Sequence, residues 1–247
     1  MRPNVGPAVM ARRAASLLLL GALVAPPAVA GDRSLIDFVG FSEDGRYFAF
    51  EEFGVQDGSG FPYSNIYVID VPADKWVAGT PFRARLEDEE ASQIEARKAA
   101  AELGQQTIDE LGITRPVDLV AVNGDGELGD GTYLTFGAPG YFPNDPQGVF
   151  TLTMDIFAAE SPENCESLLA DKAMGFSLTL TYAQGTRELF ADKVLPRSRG
   201  CPTTYRIYGV VAPQYATPPA GHVAIIAAYP FGFEGPDRRF IAIPLDK

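Results

Sequence analysis

The chain has 247 residues, 46% of them hydrophobic, and sets 20 Lys and Arg against 32 Asp and Glu for a formal charge of −12. An acidic surface without a Lys or Arg cluster argues against nucleic acid and anionic lipid as partners, because phosphate-rich surfaces attract basic patches. A single histidine, His222, and two cysteines leave too few ligands for a zinc centre.

Residues 1–30 contain no acid, carry Arg2, Arg12 and Arg13, then the apolar run "AASLLLLGALVAP", then the small-x-small site Ala28-Val29-Ala30. That order is a secretory signal peptide, and a start at Met10 would make it more typical still. The apolar core is shorter than the roughly 20 residues a membrane span needs, and no later run qualifies, so no transmembrane segment is expected after cleavage. Removal leaves 217 residues with 17 basic and 32 acidic side chains. The expected address is periplasmic or secreted. In such a compartment the pair Cys165 and Cys201 reads as a disulfide, against the alternative of two buried thiols.

The N-terminal portion, 31–136, opens as a β-hairpin. Segments 47–55 and 65–71 are rich in aromatic and β-branched residues and bracket the loop "QDGSGFPYS", with Glu43-Asp44-Gly45 as a tight turn before them. Apolar residues on both faces, as in "IYVIDV", imply a hairpin covered on two sides. Residues 87–111 are rich in Ala, Glu, Gln, Lys and Arg and stop at Gly112, which predicts a helix. Its thin apolar stripe of Ile94, Ala101, Ile108 and Leu111 predicts a helix covering a sheet. The stretches 122–133 and 137–148 are dense in Gly, Pro, Asn and Asp and read as a loop boundary.

The C-terminal portion, 150–247, carries the cleanest period-2 signal. Phe150, Leu152, Met154 and Ile156 alternate with Thr151, Thr153 and Asp155, and Phe176, Leu178, Leu180 and Tyr182 alternate with Ser177, Thr179 and Thr181. Further strands are predicted over 205–211, 223–229 and 238–245. The fold class is therefore mainly β, an antiparallel β-sandwich or propeller-like sheets with one covering α-helix over 87–111, the two portions packed as one unit. The hairpins 47–71 and 223–245 share a plan, and are expected side by side in one sheet with their loops on a common rim.

Candidate chemistry gathers on those loops. Asp57, Phe61, Tyr63, Phe231, Phe233, Glu234, Asp237, Arg238 and Arg239 combine aromatic anchors with arginine, the composition of binding hot spots. The acids Glu51, Glu52, Asp57, Glu234 and Asp237 would serve a glycosidic hydrolysis if two of them met at a defined separation. Asn123, Asp125, Glu127 and Asp130 present oxygen ligands at alternating positions for calcium, but the loop lacks the glycine and closing glutamate of an EF-hand. No G-x-S-x-G elbow, P-loop or dinucleotide fingerprint is present, His222 reads as a strand-end residue, and no cofactor is expected.

Three separated motifs, "FVGFSEDGRYFAFEEFGVQDGSGFPYSNIYVID", "LPRSRGCP..YRI" and "GFEGPDRRFIAIP", resemble a family of predicted secreted bacterial proteins carrying a domain of unknown function. The resemblance implies export and a mainly β fold, and brings no activity, cofactor or catalytic residue. The first hairpin is also similar to periplasmic Tol-associated propeller repeats. The expectation is an exported, non-catalytic β-protein that binds an envelope protein or a small ligand. The alternatives are an exported hydrolase using paired carboxylates, or a calcium-binding structural protein.

Overall fold

The period-2 segments become strands of three antiparallel sheets in the computed structural model, which describes residues 31–246 apart from 139, 141, 143 and 144. The signal peptide lies outside the described residues. In chain order the elements are β1 (Leu35–Ser42), β2 (Tyr47–Val55), β3 (Pro62–Asp70), β4 (Lys75–Trp76), β5 (Phe82–Arg85), α1 (Gln93–Glu110), β6 (Ile113–Arg115) and β7 (Val117–Val122). They continue with β8 (Tyr133–Ala138), β9 (Gln147–Ala158), α2 (Cys165–Leu169), β10 (Met174–Tyr182), β11 (Gly185–Ala191), β12 (Pro202–Pro213), β13 (Val223–Pro230) and β14 (Arg239–Pro244).

The first sheet runs β4-β3-β2-β1-β6 with β5 also on β3, the second β14-β13-β12-β7, and the third β11-β10-β9-β8. The second sheet is the middle layer. One of its faces packs Val223, Ile225, Ala227, Phe240 and Ala242 against Phe41, Phe48, Phe50 and Ile69 of the first sheet. Its other face packs Ala224, Ile226, Ala228 and Ile243 against Leu152, Met154, Phe176, Leu178 and Leu180 of the third. This explains the continuous apolar run of β13, which has core on both sides, and the alternation of β9 and β10, which have it on one. The wet face of the third sheet carries threonine pairs across strands, Thr135 with Thr151 at 3.3 Å and Thr181 with Thr186 at 3.1 Å.

Two expectations are corrected here. The end hairpins β2–β3 and β13–β14 do not share a sheet: they lie in different layers, stacked face to face through Phe48, Phe50, Phe240 and Ala242. An apolar strand face can meet its partner edge to edge or face to face, and both satisfy the same alternation. Nor do the described residues form a propeller, because the sheets stack as layers instead of ringing an axis. The sandwich arm of the expectation holds, with three layers. The loop region 122–148 contains strand β8, and β7 from before it joins β12 from after it.

The helix covers the outer face of the first sheet, as its composition predicts; Ile108 and Leu111 of the expected stripe pack against Ala49, Val68 and Ile113, but Ile94 and Ala101 face away. Ser92 and Glu95 form a capping box that starts it at Gln93, six residues later than expected. The residues it buries are Ala96, Ala100 and Gly104, while Ile94 is 78% exposed. Small side chains let the helix approach closely: a Cβ on Gly104 would stand 3.0 Å from the Phe82 ring. Arg97 ties the helix to the sheet through Glu51, with Nε 3.0 Å from each carboxylate oxygen.

Cys165 and Cys201 form a disulfide with Cα atoms 5.4 Å apart. It joins the start of α2 to the end of a 3₁₀ turn at Arg197–Arg199, and packs with Ala159, Ala173 and Leu195 in a small core of its own.

Candidate functional site

Period-2 geometry places one row of β3 side chains, Tyr63, Asn65, Tyr67 and Ile69, towards the middle layer. Cross-strand register carries that face sideways. Asn65 stands opposite Glu52 on β2 and Arg83 on β5, and Ile69 opposite Trp76 on β4. These residues overhang the outer edge of β14 and form one wall of a cleft of about 700 Å³. Phe190 and the 196–200 turn form the opposite wall, and the floor is β14 itself, Phe240 to Ile243. The volume lies within the range of small-molecule sites.

Charge is arranged along this cleft in a graded way. Arg83 at the open end is exposed and makes no ion pair among the described residues. Trp76, on the neighbouring edge strand β4 and four β3 residues further along the cleft, is 47% exposed and sits edge-on to Tyr67. At the inner end a buried network closes the space. Arg239 donates to Asp32 Oδ2 at 2.6 Å and to Asp237 Oδ2 at 3.3 Å, and its Nε lies 3.9 Å from Glu52 Oε1. Tyr63 donates to Asp32 Oδ1 at 2.9 Å and accepts from Arg239 at 3.2 Å. Burial pushes the Tyr63 hydroxyl above its ordinary range, so it is a permanent donor to Asp32. Burial also raises Asp237, with Arg239 opposing.

Glu52 is the most perturbed carboxyl. Burial pushes it up to about 7, against the pull of Arg239 and of the Phe240 amide it accepts from at 2.8 Å. An unfolded glutamate titrates near 4.5, so over that interval the unfolded chain releases a proton that the folded chain retains. The stability this residue contributes is complete below about pH 4.5 and is lost as pH rises to about 7, a change on the order of 3 kcal/mol. Urea unfolding of wild type and Glu52→Gln across that window is expected to show their stability difference moving by about 2–3 kcal/mol in favour of the variant as pH rises. A pH-independent difference would show that Glu52 ionises normally in the folded protein.

The structure divides the loop residues that composition groups together. At the tip, the Glu234 amide donates to Asp57 Oδ2 at 2.8 Å, so the two hairpin loops meet. Phe233 is 83% exposed there, and Phe61 half-buried. At the base, Tyr63, Asp237 and Arg239 join the buried network, and Phe231 and Asp237 reach the cleft. Arg238 is 3% exposed: it donates to the Ser34 carbonyl at 2.6 and 2.8 Å and to Asp125 at 2.7 Å, which is an internal clamp. Of the acids, Glu51 turns to the helix side, Glu234 stays at the tip with Asp57, whose charge is felt at Asp237, and Glu52 and Asp237 share Arg239 as a partner.

Asp125 is engaged by Arg33 and Arg238, which hold its carboxyl below the ordinary range against the effect of burial. Asp130 accepts from the Thr132 amide at 2.9 Å. Among the described residues no three His, Cys, Asp or Glu side chains are placed to hold a metal. His222 is buried beneath Phe136 and its pKa is lowered by that burial.

Sequence reasoning misses Asp32, Asn65, Tyr67, Trp76, Arg83 and the 196–200 turn. The alternation 63, 65, 67, 69 marks one face of β3, and Trp76 is the single tryptophan of the chain, but nothing local brings those segments to β14.

Fold and cleft together define a three-layer, mainly-β protein with a recessed cleft between sheets. The chain belongs to the family described as Predicted secreted protein (DUF2259), which it matches over residues 49–246. That span holds β2 from Ala49 onward and all of β3 to β14, and hence every wall of the cleft, whereas Asp32 precedes it. The family's description agrees with the export predicted from the leader. No curated protein matches the chain, and no helix of the described residues is long and apolar enough to cross a membrane.

Proposed function

We propose that this is an exported, non-catalytic binding protein, envelope-associated or released, whose ligand enters the cleft at β14 and carries a negative charge on an apolar body. One observation carries the reading: Arg83, an arginine without an ion pair, and the half-exposed Trp76 stand on the edge strands β5 and β4 along the same wall of a 700 Å³ cleft in an otherwise acidic molecule. The floor from Phe240 to Ile243 is apolar and charged side chains stand around it, so a ligand there meets both apolar surface and oriented polar groups. The exposed Phe233 and the joined Asp57–Glu234 tip form a rim next to it. Glu52 and Asp237 both face Arg239, which is a fixed counter-charge for the pair.

Trp76, as the only tryptophan, makes the cleft readable by intrinsic fluorescence. The anionic aromatic probe 8-anilinonaphthalene-1-sulfonate is expected to quench it. Arg83→Gln should weaken that binding about tenfold, the loss of one charge-assisted hydrogen bond of roughly 1.5 kcal/mol. A tryptophan signal indifferent to the probe, or equally responsive in the variant, removes the cleft as an anion site.

A further inference from the structure

The floor of the cleft is a strand with an open side. β14 ends the middle sheet, paired with β13 on one flank; no named strand lies on the other, where only the segment 32–34 meets the residue before its start, through an Arg33–Arg238 bridge and the Arg238 amide on the Asp32 carbonyl. In an antiparallel pair alternate residues exchange both main-chain bonds, and the residues between them turn theirs away. The Phe240 amide is bonded to Glu52, so Phe240 is one of those turned away from β13, and Ala242 is the next. Glu52 therefore caps one amide of the open flank. Among the described residues the Ala242 amide and carbonyl, and the Phe240 carbonyl, have no partner on that side.

The surroundings of this flank have the dimensions of a strand. Stacked sheets lie about 10 Å apart, so the space between the first and third layers beyond β14 is one sheet thick. A further strand fits there at the ordinary spacing of roughly 4.8 Å. Pro244, which has no amide to donate, closes the pairing at one end. Open edges on soluble proteins are normally blunted by charge, bulges or cover; this one is guarded by being recessed between overhanging walls. Recession excludes a second folded sheet and admits a single extended chain.

We infer that the cleft binds an extended polypeptide segment bearing an acidic side chain, added beside β14 as a fifth strand of the middle sheet, with its carboxylate on Arg83. Main-chain bonds to Phe240 and Ala242 hold the segment, and Trp76 and Tyr67 cover an apolar side chain two residues along from the acidic one, on the same face. This is strand addition, in which backbone pairing supplies affinity and side-chain pockets supply selectivity. It rests on the reading of the cleft as a binding site and narrows it from any anionic ligand to a peptide.

The test uses the processed protein, ¹⁵N-labelled, and a pool of blocked seven-residue peptides with a central glutamate and valine, isoleucine, threonine or tyrosine elsewhere. The pool is expected to slow hydrogen exchange of the Ala242 amide at least tenfold and to quench Trp76. The same pool N-methylated at alternate amides is expected to do neither, and Arg83→Gln to weaken the unmethylated pool about tenfold. Unchanged exchange at Ala242 overturns strand addition. Quenching by the methylated and unmethylated pools alike also overturns it, yet leaves the cleft a binding site. If neither the pools nor the anilinonaphthalene probe reaches Trp76, the broader reading falls as well.

Discussion

Asp32→Ala is expected to lower the unfolding free energy by about 3–5 kcal/mol, the usual cost of removing one partner from a buried charge pair. Asp32 is 3% exposed and stands at the head of the described chain, before the first strand. Its carboxylate takes Arg239 and Tyr63, its amide donates to Asp237 at 3.2 Å, and its carbonyl accepts the Arg238 amide at 2.8 Å. Four groups on two hairpins therefore converge on one residue that belongs to neither. Without it, Arg239 keeps its charge in a largely dry setting with only the distant Glu52 and the half-buried Asp237 to oppose it. Urea unfolding measures the loss, and a double-mutant cycle with Arg239→Met separates the pair from general damage. If Asp32→Ala costs under about 1 kcal/mol, the network is solvated and the inner end of the cleft is open.

How much of this arrangement the sequence discloses depends on how local each cause is. Thr151 and Thr153 between Leu152 and Met154 mark a one-sided strand because alternation is a property of a single segment. The same holds for β2, which the composition of 47–55 delimits to the residue. The helix face is harder, because Ile94 and Ala101 look like the natural stripe while the chain buries Ala96, Ala100 and Gly104. Large apolar residues maximise transferred area, but small ones allow the backbone of α1 to approach Phe82, and only the partner surface decides between them. Whether two hairpins pair or stack is wholly non-local: Phe48 and Phe240 carry the same pattern in either case. The cleft is more remote still, assembled from Arg83, Trp76, the 196–200 turn and β14, four segments without any shared periodicity. Arg238 and Arg239 show the limit most clearly, adjacent in sequence but turned by strand alternation into an internal clamp and a cleft residue.

Loss of the disulfide is expected to cost about 2–4 kcal/mol and, unlike the loss of Asp32, to weaken the cleft in the protein that remains folded. Cys165 and Cys201 close a loop spanning 36 positions, long enough for chain entropy to favour the upper part of that range. What the loop contains makes the bridge more than a global staple. Cys201 follows directly on the Pro196–Gly200 segment that forms one wall of the cleft, and Phe190 of the same wall lies between the two cysteines in sequence. Arg199 anchors the segment from the other side by donating to Asp192 at 2.6 and 2.8 Å, with both side chains nearly buried. With Cys165→Ser and Cys201→Ser, the Arg199 clamp still holds one end of the turn while the end at residue 201 is released from α2. Local opening then begins at that wall, because the residue-201 end of the turn packs on the small core of Ala159, Ala173 and Leu195, whereas Arg199 and Phe190 stay on the large core at Phe176. The double variant is therefore expected to bind 8-anilinonaphthalene-1-sulfonate several-fold more weakly at a temperature where it remains fully folded, a loss of roughly 1 kcal/mol. Equal affinity in the bridged and bridgeless proteins would show that Arg199 and Asp192 alone set the wall, leaving the cystine to act only on the unfolded chain.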